Sequence, residues 1–414
     1  MKDLEICELE DMKETFNGRV VIIGGGAAAF YAASAIREKN QLCDIVIYGK
    51  EPYLTYNRPM LTKALLMGKE VEKMFIKKPQ WYEEQRIDFH TDSTVTAINP
   101  ANQEIVLEAG QQVKYDKLLI ATGATSFIPP IPGSALKGVY AIRGYEDLLQ
   151  IEEAAKQASS VVVIGGGVLG LEAAWQFKKQ NKQVTVLELA DQLMVRQLDC
   201  NASELLYQLI KQEGMEVQVG VKIEAIVGDQ NVSGVRLADQ SVINADLVIM
   251  STGIRANTAL AKEAGVEINK AIVVNDHCET NLLNVYAIGD CAEHNGINYG
   301  IWPEATDMGR VAGLHSIGET ASYVPAQPAI IFHGMNTQLY AIGDVGRDTS
   351  KKYQIIQLRD EAKKTYSGYY FVDQKFSGAV LFGDTKHLKQ VNEACKMQES
   401  YESWCTKLLG NQNK

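Results

Sequence analysis

The sequence predicts an α/β fold in which two similar βαβ blocks are followed by a small α+β domain. Three observations support this prediction. An apolar run, a glycine cluster and a helix-forming segment follow one another in that order at residues 20–39. The same order returns at residues 161–179, and from about Val324 onward aromatic alternation and a closing helical pattern take over. Because both apolar runs are uninterrupted, we expect each to be a fully buried parallel strand.

Composition limits the classes of function that need to be considered. The chain has 414 residues, enough for two or three domains, and its 46% hydrophobic and 22% charged residues are ordinary for a globular protein. A formal net charge of -10 gives no support to a nucleic-acid surface. The first 17 residues lack an apolar core and no run is long enough to span a bilayer, so we expect neither a secretory signal nor a membrane segment.

The cysteines and histidines show no spacing of a metal site. No CxxC or CxxxxC pair exists, so we expect neither structural zinc nor a redox-active dithiol, and the six histidines have no ligand spacing. Reduced thiols in a cytoplasmic protein fit this pattern. The seven cysteines are Cys7, Cys43, Cys200, Cys278, Cys291, Cys395 and Cys405.

The first block contains a nucleotide-binding pattern. Gly24, Gly26 and Ala29 match GxGxx[GA] directly after the strand at residues 20–23. The first glycine permits a tight turn, the second lets the backbone approach a pyrophosphate, and the third small residue lets helix and strand pack closely. The free N–H groups of the following helix then face the phosphates. Glu51 follows the second strand and is our candidate for the ribose of the nucleotide.

The second block repeats this pattern and adds an acidic residue. Gly165, Gly167 and Gly170 match the same motif, and Glu188 lies 188 − 165 = 23 residues after the first of them. At that place an acid binds the ribose 2′-hydroxyl. No basic residue lies between Glu188 and Arg196, so a 2′-phosphate would have no close cation, and we expect NADH rather than NADPH. The two blocks therefore predict two Rossmann-like nucleotide-binding domains.

Further repeats define domain boundaries. The strand that ends at Thr122-Gly123 resembles the strand that ends at Thr252-Gly253, and the Pro-rich stretch 129–133 reads as a linker. We expect a discontinuous first domain, 1–125 and 250–323, a second domain at 126–249, and a C-terminal domain at 324–414.

Together with Tyr286-Ala287-Ile288-Gly289-Asp290, these motifs resemble the pyridine-nucleotide-disulfide oxidoreductase superfamily over residues 19–312. The resemblance implies a fold of the glutathione-reductase type, with FAD in the first domain and NADH in the second. It further implies that Gly289 and Asp290 hold the ribityl chain of FAD, that Thr122-Gly123 lies near FAD, and that Glu51 contacts its adenosine ribose.

The subgroup follows from residues 52–63, PYLTYNRPMLTK, where disulfide-reducing and oxidase members carry cysteine and this chain has none. This segment is similar to the rubredoxin, ferredoxin and putidaredoxin reductases. The resemblance implies that Arg58 and Pro59 contact FAD, and that Lys63 lies beside flavin N5 and pairs with Glu172. It also implies that the helix beginning near Trp302 points its positive end at the flavin, with Trp302 near the ring.

These expectations lead to a hydride transfer from NADH to FAD and an electron transfer onward to a small carrier protein, most simply rubredoxin. Two alternatives stay open: an NADH oxidase that reduces oxygen directly, and a non-catalytic FAD- or NADH-sensing module. Docking of an acidic carrier needs a local basic patch, for which the sequence offers Lys69, Lys73, Lys77 and Lys78. The pattern leaves open whether the protein is a monomer or a homodimer.

Overall fold

The structure, a computed structural model, describes residues 15–412, so Cys7 and the expected absence of a signal segment lie outside the described residues. The helices are α1 Ala27–Lys39, α2 Met60–Ala64, α3 Pro79–Glu84, α4 Tyr145–Ala155, α5 Val168–Lys179, α6 Cys200–Gln212, α7 Ala259–Glu263, α8 Trp302–Ser316, α9 Leu388–Met397 and α10 Tyr401–Gln412. Short 3₁₀ turns lie at Val71–Met74, Pro100–Asn102 and Gly289–Cys291.

The strands, in chain order, are β1 Arg19–Ile23, β2 Asp44–Tyr48, β3 Ile87–His90, β4 Val95–Asn99, β5 Glu104–Leu107, β6 Gln112–Lys114, β7 Lys117–Ile120, β8 Ala124–Ser126, β9 Val139–Ala141, β10 Ser160–Ile164, β11 Gln183–Leu187, β12 Glu216–Gln218, β13 Ile223–Gly228, β14 Val232–Leu237, β15 Val242–Asn244, β16 Leu247–Met250, β17 Ile254–Ala256, β18 Ile272–Val274, β19 Val285–Ala287, β20 Ala292–His294, β21 Ala329–Gly334, β22 Thr337–Gly343, β23 Tyr353–Asp360, β24 Thr365–Val372 and β25 Lys375–Phe382.

The chain divides into two compact units. Unit 1 contains the described residues up to Asn57, Glu70–Thr125 and Ile254–Pro325. Unit 2 contains Arg58–Lys69, Ser126–Gly253 and the chain from Ala326 onward. The α/β class and the C-terminal α+β domain are confirmed by the elements themselves. The assignment of FAD and NADH to separate stretches of sequence stays a prediction.

Unit 1 is built on a parallel sheet of order β19-β7-β1-β2-β3. β1 and β2 each bury four consecutive apolar residues, which is why their sequences are unbroken apolar runs rather than alternating ones. On this sheet α1 and α8 pack so closely that Gly309 cannot be replaced without a clash. A Cβ at Gly309 would lie only 2.4 Å from the carbonyl oxygen of Ala28. Gly313 makes the same approach to Ala32, so the two helices run parallel.

Unit 2 contains a second parallel sheet, of order β12-β11-β10-β16-β9. A three-stranded antiparallel sheet, β13-β14-β15, covers it through residues such as Ile226 and Val235. As in unit 1, the carboxyl ends of the central strands β10 and β16 lie side by side. Loops that follow those ends are therefore neighbours, which is the arrangement that nucleotide-binding α/β sheets use.

The C-terminal part of unit 2 is an antiparallel sheet, β21-β22-β25-β24-β23, with α9 and α10 on one face. Between sheet and helices lies an aromatic cluster that contains Tyr369, Phe376 and Trp404. Asp199 ties this sheet to α6: its Oδ1 accepts the backbone N–H of Ala202 at 2.8 Å, and its Oδ2 accepts the hydroxyls of Tyr366 at 2.7 Å and of Tyr370. One carboxylate thus caps a helix and anchors a neighbouring strand. Among residues 15–412, no helix has both the length and the apolarity that a membrane crossing requires.

Candidate functional site

The first glycine loop lies at the carboxyl end of β1, and its geometry excludes other residues. Gly24 has φ +114°, and a Cβ there would lie 2.1 Å from the carbonyl oxygen of Ala121. Above Gly26 the space is open, since a Cβ would meet no atom within 4 Å. The tight turn and the open face fit a pyrophosphate that approaches the backbone at the start of α1. Ala29 is fully buried, as close helix–strand packing requires.

Two neighbouring loops come to the same sheet edge. Thr122 and Gly123 follow β7, which pairs directly with β1. Asn257, which the sequence reasoning missed, fixes this turn: its amide donates to the carbonyl oxygen of Thr122 at 2.9 Å, and its own carbonyl oxygen accepts the Thr122 hydroxyl at 2.8 Å. Glu51 follows β2, and its Oε2 accepts the hydroxyl of Tyr56 at 2.6 Å, which holds the carboxylate in one orientation.

Gly289 and Asp290 lie in the 3₁₀ turn after β19, wedged against two helix starts. A Cβ at Gly289 would lie 3.0 Å from the Cβ of Ala28 and 3.5 Å from that of Ala305. Trp302 is the first residue of α8 and is half-buried. Gly309 lies beside the first turn of α1, and seven residues of α8 precede it. At about 1.5 Å per residue, the N-terminus of α8 therefore extends about 10 Å past the N-terminus of α1.

Unit 1 therefore gathers most of the residues expected for FAD at one edge of its sheet. They are Gly24, Gly26, Ala29, Glu51, Thr122, Gly123, Gly289, Asp290 and Trp302. Arg58, Pro59 and Lys63 belong to unit 2 instead. There the Arg58 guanidinium donates to the carbonyl oxygen of Arg143 at 3.0 Å, and Pro59 is the N-cap residue of α2. Their contact with FAD stays a prediction.

The second glycine loop repeats the geometry of the first in unit 2. Gly165 has φ +116° and no room for a Cβ, which would lie 2.2 Å from the carbonyl oxygen of Ser251. Gly167 again has open space above it, and Gly170 lies against the carbonyl oxygen of Gly165. Glu188 follows β11 beside this loop: its Oε2 accepts the N–H of Gly166 at 2.6 Å and its Oε1 that of Ala190 at 2.8 Å. This cradle fits a second dinucleotide.

Lys63 and Glu172 come together where α2 contacts α5. The Nζ of Lys63 lies 3.8 Å from Oε1 of Glu172, whose side chain is only 4% exposed. Thr62 donates its hydroxyl to the other carboxylate oxygen at 2.5 Å. Burial raises the pKa of Glu172, and the Thr62 hydrogen bond and the Lys63 charge partly oppose that rise. Sequence reasoning missed Thr62, although it directly precedes Lys63 in the recognised segment.

Lys63 also lines a groove of about 970 Å³ within unit 2. One wall consists of residues of α5 and α6, including Lys179, and the other consists of C-terminal strands and turns, including Arg359 and Lys364. Two acidic residues of the groove pair with cations already, Asp360 with Lys363 at 3.3 Å and Glu361 with Arg359 at 3.7 Å. Lys364 donates to the neutral amide of Gln212, and Lys179 forms no ion pair with any residue of 15–412. The groove is thus positively charged in an acidic chain.

The described cysteines form no disulfide bond, and most of them are buried. Cys43 and Cys291 are buried, and burial raises the pKa of each thiol, so neither is a ready thiolate. The six cysteines within 15–412 are free. Across the same residues, no cluster of three or more His, Cys, Asp or Glu side chains is arranged to hold a metal ion.

Two family models match this chain. Residues 18–309 match the family model "Pyridine nucleotide-disulphide oxidoreductase", and residues 328–399 match "Rubredoxin NAD+ reductase C-terminal domain". An NADH oxidase of Methanocaldococcus jannaschii is 36% identical over 345 residues, which are 79% of this chain and 74% of that protein. The structure of NADH:rubredoxin oxidoreductase from Clostridium acetobutylicum superposes with a TM-score of 0.77 at 27% identity, covering 93% of this chain and 96% of that one.

A further relative is much longer than this chain. The nitrite reductase [NAD(P)H] of Bacillus subtilis is 37% identical over 370 residues, which are 89% of this chain but only 46% of that protein. The chain thus spans about half the length of the first curated relatives that it matches. The superfamily resemblance seen in the glycine loops and the Gly289-Asp290 turn is confirmed by the two family models.

Proposed function

The chain belongs to the pyridine nucleotide-disulphide oxidoreductase family, whose members of this kind use FAD and NADH, and from that premise we propose that it passes electrons from NADH through FAD to a small one-electron carrier protein, most simply a rubredoxin. The observation that carries the proposal is the match of residues 328–399 to the C-terminal domain of rubredoxin NAD+ reductases. This match supports the choice of rubredoxin as the electron acceptor in our proposal.

The groove beside Lys63 supports a protein acceptor of acidic character. Residues of the matched C-terminal domain form one of its walls, and Lys179 and Lys364 contribute positive charge without an acidic partner in the described chain. About 970 Å³ accommodates a surface loop or a few side chains rather than a whole folded protein. An acidic loop of a carrier fits both the volume and the charge, and such contacts are typically small and transient.

The residues of each site have separable roles in this proposal. FAD, when bound, supplies the chemistry that accepts a hydride and gives up its electrons one at a time. Gly24, Gly26 and Asp290 would hold it, and Gly165, Gly167 and Glu188 would hold NADH. Glu172 fixes the Lys63 ammonium, and Thr62 fixes Glu172 through its hydroxyl. A fixed cation stabilises the negative charge that arrives with a hydride, without reorganising during the reaction.

The acceptor is tested by steady-state NADH consumption with a panel that contains rubredoxin, a [2Fe–2S] ferredoxin, oxygen alone and a low-molecular-weight disulfide. We expect rubredoxin to raise NADH consumption well above the oxygen background. A carrier other than rubredoxin that gives the fastest rate would change the name of the acceptor and keep its class. A disulfide reduced faster than any carrier would refute the proposal.

A second candidate is an NADH oxidase, favoured by the 36% identical archaeal protein of that name. The missing cysteine after the second strand argues against it. If no carrier raises NADH consumption above the rate with oxygen, the oxidase activity becomes the better description. The same panel therefore separates both candidates from a non-catalytic module, which would consume no NADH under any condition.

Lys63 gives a test of the flavin-side role. Replacing Lys63 with Met should make the flavin reduction potential more negative and slow flavin bleaching by NADH roughly 10- to 100-fold, at or below the usual cost of one preorganised electrostatic contact. Stopped-flow absorbance measures the rate, with Lys156→Met, at the C-cap of α4, as an exposed-lysine control. Unchanged bleaching would remove Lys63 from the proposed role, although its ion pair with Glu172 would remain.

A further inference from the structure

An Asp–His pair lies behind the Gly289-Asp290 turn of unit 1. The Nε2 of His294 is 2.7 Å from Oδ1 of Asp276; the histidine side chain is 3% exposed and the aspartate side chain 65%. The Asp276 contact of Nε2 at 2.7 Å is shorter than its contact with the Asn295 amide nitrogen at 3.3 Å. Because an ionised carboxylate can only accept a hydrogen bond, we assign the proton of the neutral ring to Nε2, which leaves a lone pair on Nδ1. That Nδ1 is buried and has no partner among the described residues. Leaving such an acceptor unsatisfied is costly, which points to a missing ligand.

A small cavity next to His294 offers that ligand. Its volume is about 10 Å³, enough for one water molecule, and its walls include Asp290, Tyr299 and Glu304. Because Asp276 occupies Nε2, Nδ1 is the ring nitrogen to which we assign a water in this cavity. A water there would join His294 to the turn that we propose for FAD. Tyr323 stacks edge-on against the imidazole and donates its hydroxyl to Glu304.

The charged groups around His294 are carboxylates. Asp276 faces it from the loop after β18, Glu304 approaches from α8 through Tyr323, and Asp290 lies on the far wall of the cavity. The remaining polar neighbours, Asn295 and Tyr299, are neutral. Among the described residues, the other charged side chains at this cavity are therefore carboxylates.

The stoichiometry of the proposed function requires that a proton leave the cofactor site. A hydride brings two electrons and one proton, but a one-electron carrier takes electrons alone. The balance is NADH plus two oxidised carriers giving NAD+, one proton and two reduced carriers. One proton must therefore leave the cofactor site in each turnover, and this requirement rests on the proposed function.

We propose that the Asp276–His294 pair is the acceptor of that proton. The cavity water gives a proton to Nδ1 of His294 and takes up the one released at the cofactor site, so the water is unchanged. The ring becomes an imidazolium, which the Asp276 carboxylate stabilises at 2.7 Å. No electrons move in this step, and His294 later returns the proton from Nδ1 to bulk water by exchange through the cavity.

The ring itself is examined first, by ¹⁵N NMR of the histidine-labelled holoenzyme in its oxidised form, with His294→Gln used to assign the signal. We expect the neutral ring to carry its proton on Nε2. A neutral ring protonated on Nδ1 would overturn the proposal without any turnover measurement. It would leave the proposed function itself intact.

Proton release is examined next, by stopped flow of NADH-reduced enzyme against ferricyanide, a one-electron acceptor that takes no proton, with a pH-indicator dye. His294→Gln should slow proton release at least about tenfold and remove its decline at acidic pH, because a general base typically contributes that much or more. Asp276→Asn, at the exposed end, should show a smaller loss in the same direction. Flavin reduction by NADH should stay as in the parent enzyme.

The matched control is His90→Gln, which removes the imidazole of an exposed His–Asp pair, His90 with Asp88 at 2.8 Å. It should release protons at the parent rate. Equal rates and equal pH profiles for His294→Gln and His90→Gln would overturn the proposal. If His294→Gln does not fold, Asp276→Asn decides: an unchanged rate refutes the role of the pair. Failure of rubredoxin reduction would refute only the proposed function, since ferricyanide reports on the pair independently.

Discussion

At the scale of single residues, Glu188 carries our prediction of the nucleotide preference. Both of its carboxylate oxygens accept backbone N–H groups, from Gly166 and Ala190. Charge-assisted hydrogen bonds of this kind hold the carboxylate in place at the end of β11. A negative charge held there favours a ribose hydroxyl and repels a 2′-phosphate.

We therefore expect Glu188→Ala to narrow the preference for NADH over NADPH by about 1–3 kcal/mol, the usual cost of a lost buried polar contact. Steady-state kcat/KM with each nucleotide measures the change. Glu216→Ala, which removes an exposed carboxylate of β12 in the same sheet, should leave the ratio as it was. A parent enzyme that uses NADPH as well as NADH would contradict the role given to Glu188.

Glu172 is the residue whose ionisation opposes folding. Burial raises its pKa, so the folded chain binds this proton more tightly than the unfolded chain does. The protonated form of Glu172 therefore adds to the free energy of unfolding. This contribution is fully present below the pKa of Glu172 in the unfolded chain and is lost as the pH rises through its pKa in the folded chain. Thr62 and Lys63 reduce this loss without cancelling it.

Because Gln resembles protonated Glu, Glu172→Gln should match the parent stability at acidic pH. Its melting temperature should then exceed that of the parent by a margin that widens as the pH rises from about 4 to 8. Thermal unfolding across that range measures the margin, and Glu216→Gln, at an exposed site, should show no such trend. A margin that shrinks with rising pH would mean that the Lys63 ion pair outweighs the cost of burial.

At the scale of elements, Asp199 joins helix α6 to strand β24 through one carboxylate. It caps the helix and accepts two tyrosine hydroxyls. Burial, and next the hydrogen bond to Asp199, raise the pKa of Tyr366 and of Tyr370, so both remain protonated donors. The C-terminal sheet is thereby fixed against the helix that lines the cationic groove.

Asp199→Ala should lower the free energy of unfolding by roughly 2–4 kcal/mol, since it removes a cap and leaves two hydroxyls without an acceptor. When Tyr366 and Tyr370 are both replaced by Phe, Asp199→Ala should lower the free energy of unfolding by about 0.5–2 kcal/mol, because only the helix cap is then lost. Denaturant unfolding of the parent and the three variants closes this cycle. An equal cost of Asp199→Ala in both backgrounds would show that the tyrosine contacts add nothing to stability.

At the scale of the whole molecule, the sequence predicted what local chemistry determines. Both glycine loops could be foreseen, because Gly24 and Gly165 need a positive φ that few other residues tolerate. The hydrogen bond from Thr62 to Glu172 could not, because the resemblance paired Glu172 with Lys63 alone and no local pattern joins the Thr62 hydroxyl to a carboxylate 110 residues away. The pairing of Asp276 with His294 escaped prediction for the same reason.

The basic surface is a further case in which spacing along the chain misleads. Sequence reasoning chose Lys69, Lys73, Lys77 and Lys78 because they are close in sequence. Lys73 already pairs with Glu70 at 3.1 Å, and Lys77 lies over the ring of Trp81. The groove lysines Lys179 and Lys364 come from α5 and from the turn before β24, so no local pattern joins them. Which of the two surfaces receives an acidic carrier is a question of charge that experiment can answer.

Salt dependence answers it, because global and local charge act in opposite directions. A chain of net charge -10 repels an acidic rubredoxin, and added salt would screen that repulsion and speed the reaction. Local attraction at the groove would be screened too, and the reaction would slow. We expect the local effect to dominate, so rubredoxin reduction should fall as ionic strength rises, whereas FAD reduction by NADH should barely change.

The double variant Lys179→Glu with Lys364→Glu should lower the rate with rubredoxin by about fivefold or more at low salt. Lys389→Glu with Lys396→Glu, the same charge change on α9, should not; if Lys77→Glu with Lys78→Glu has the larger effect, the carrier docks at the patch that the sequence suggested.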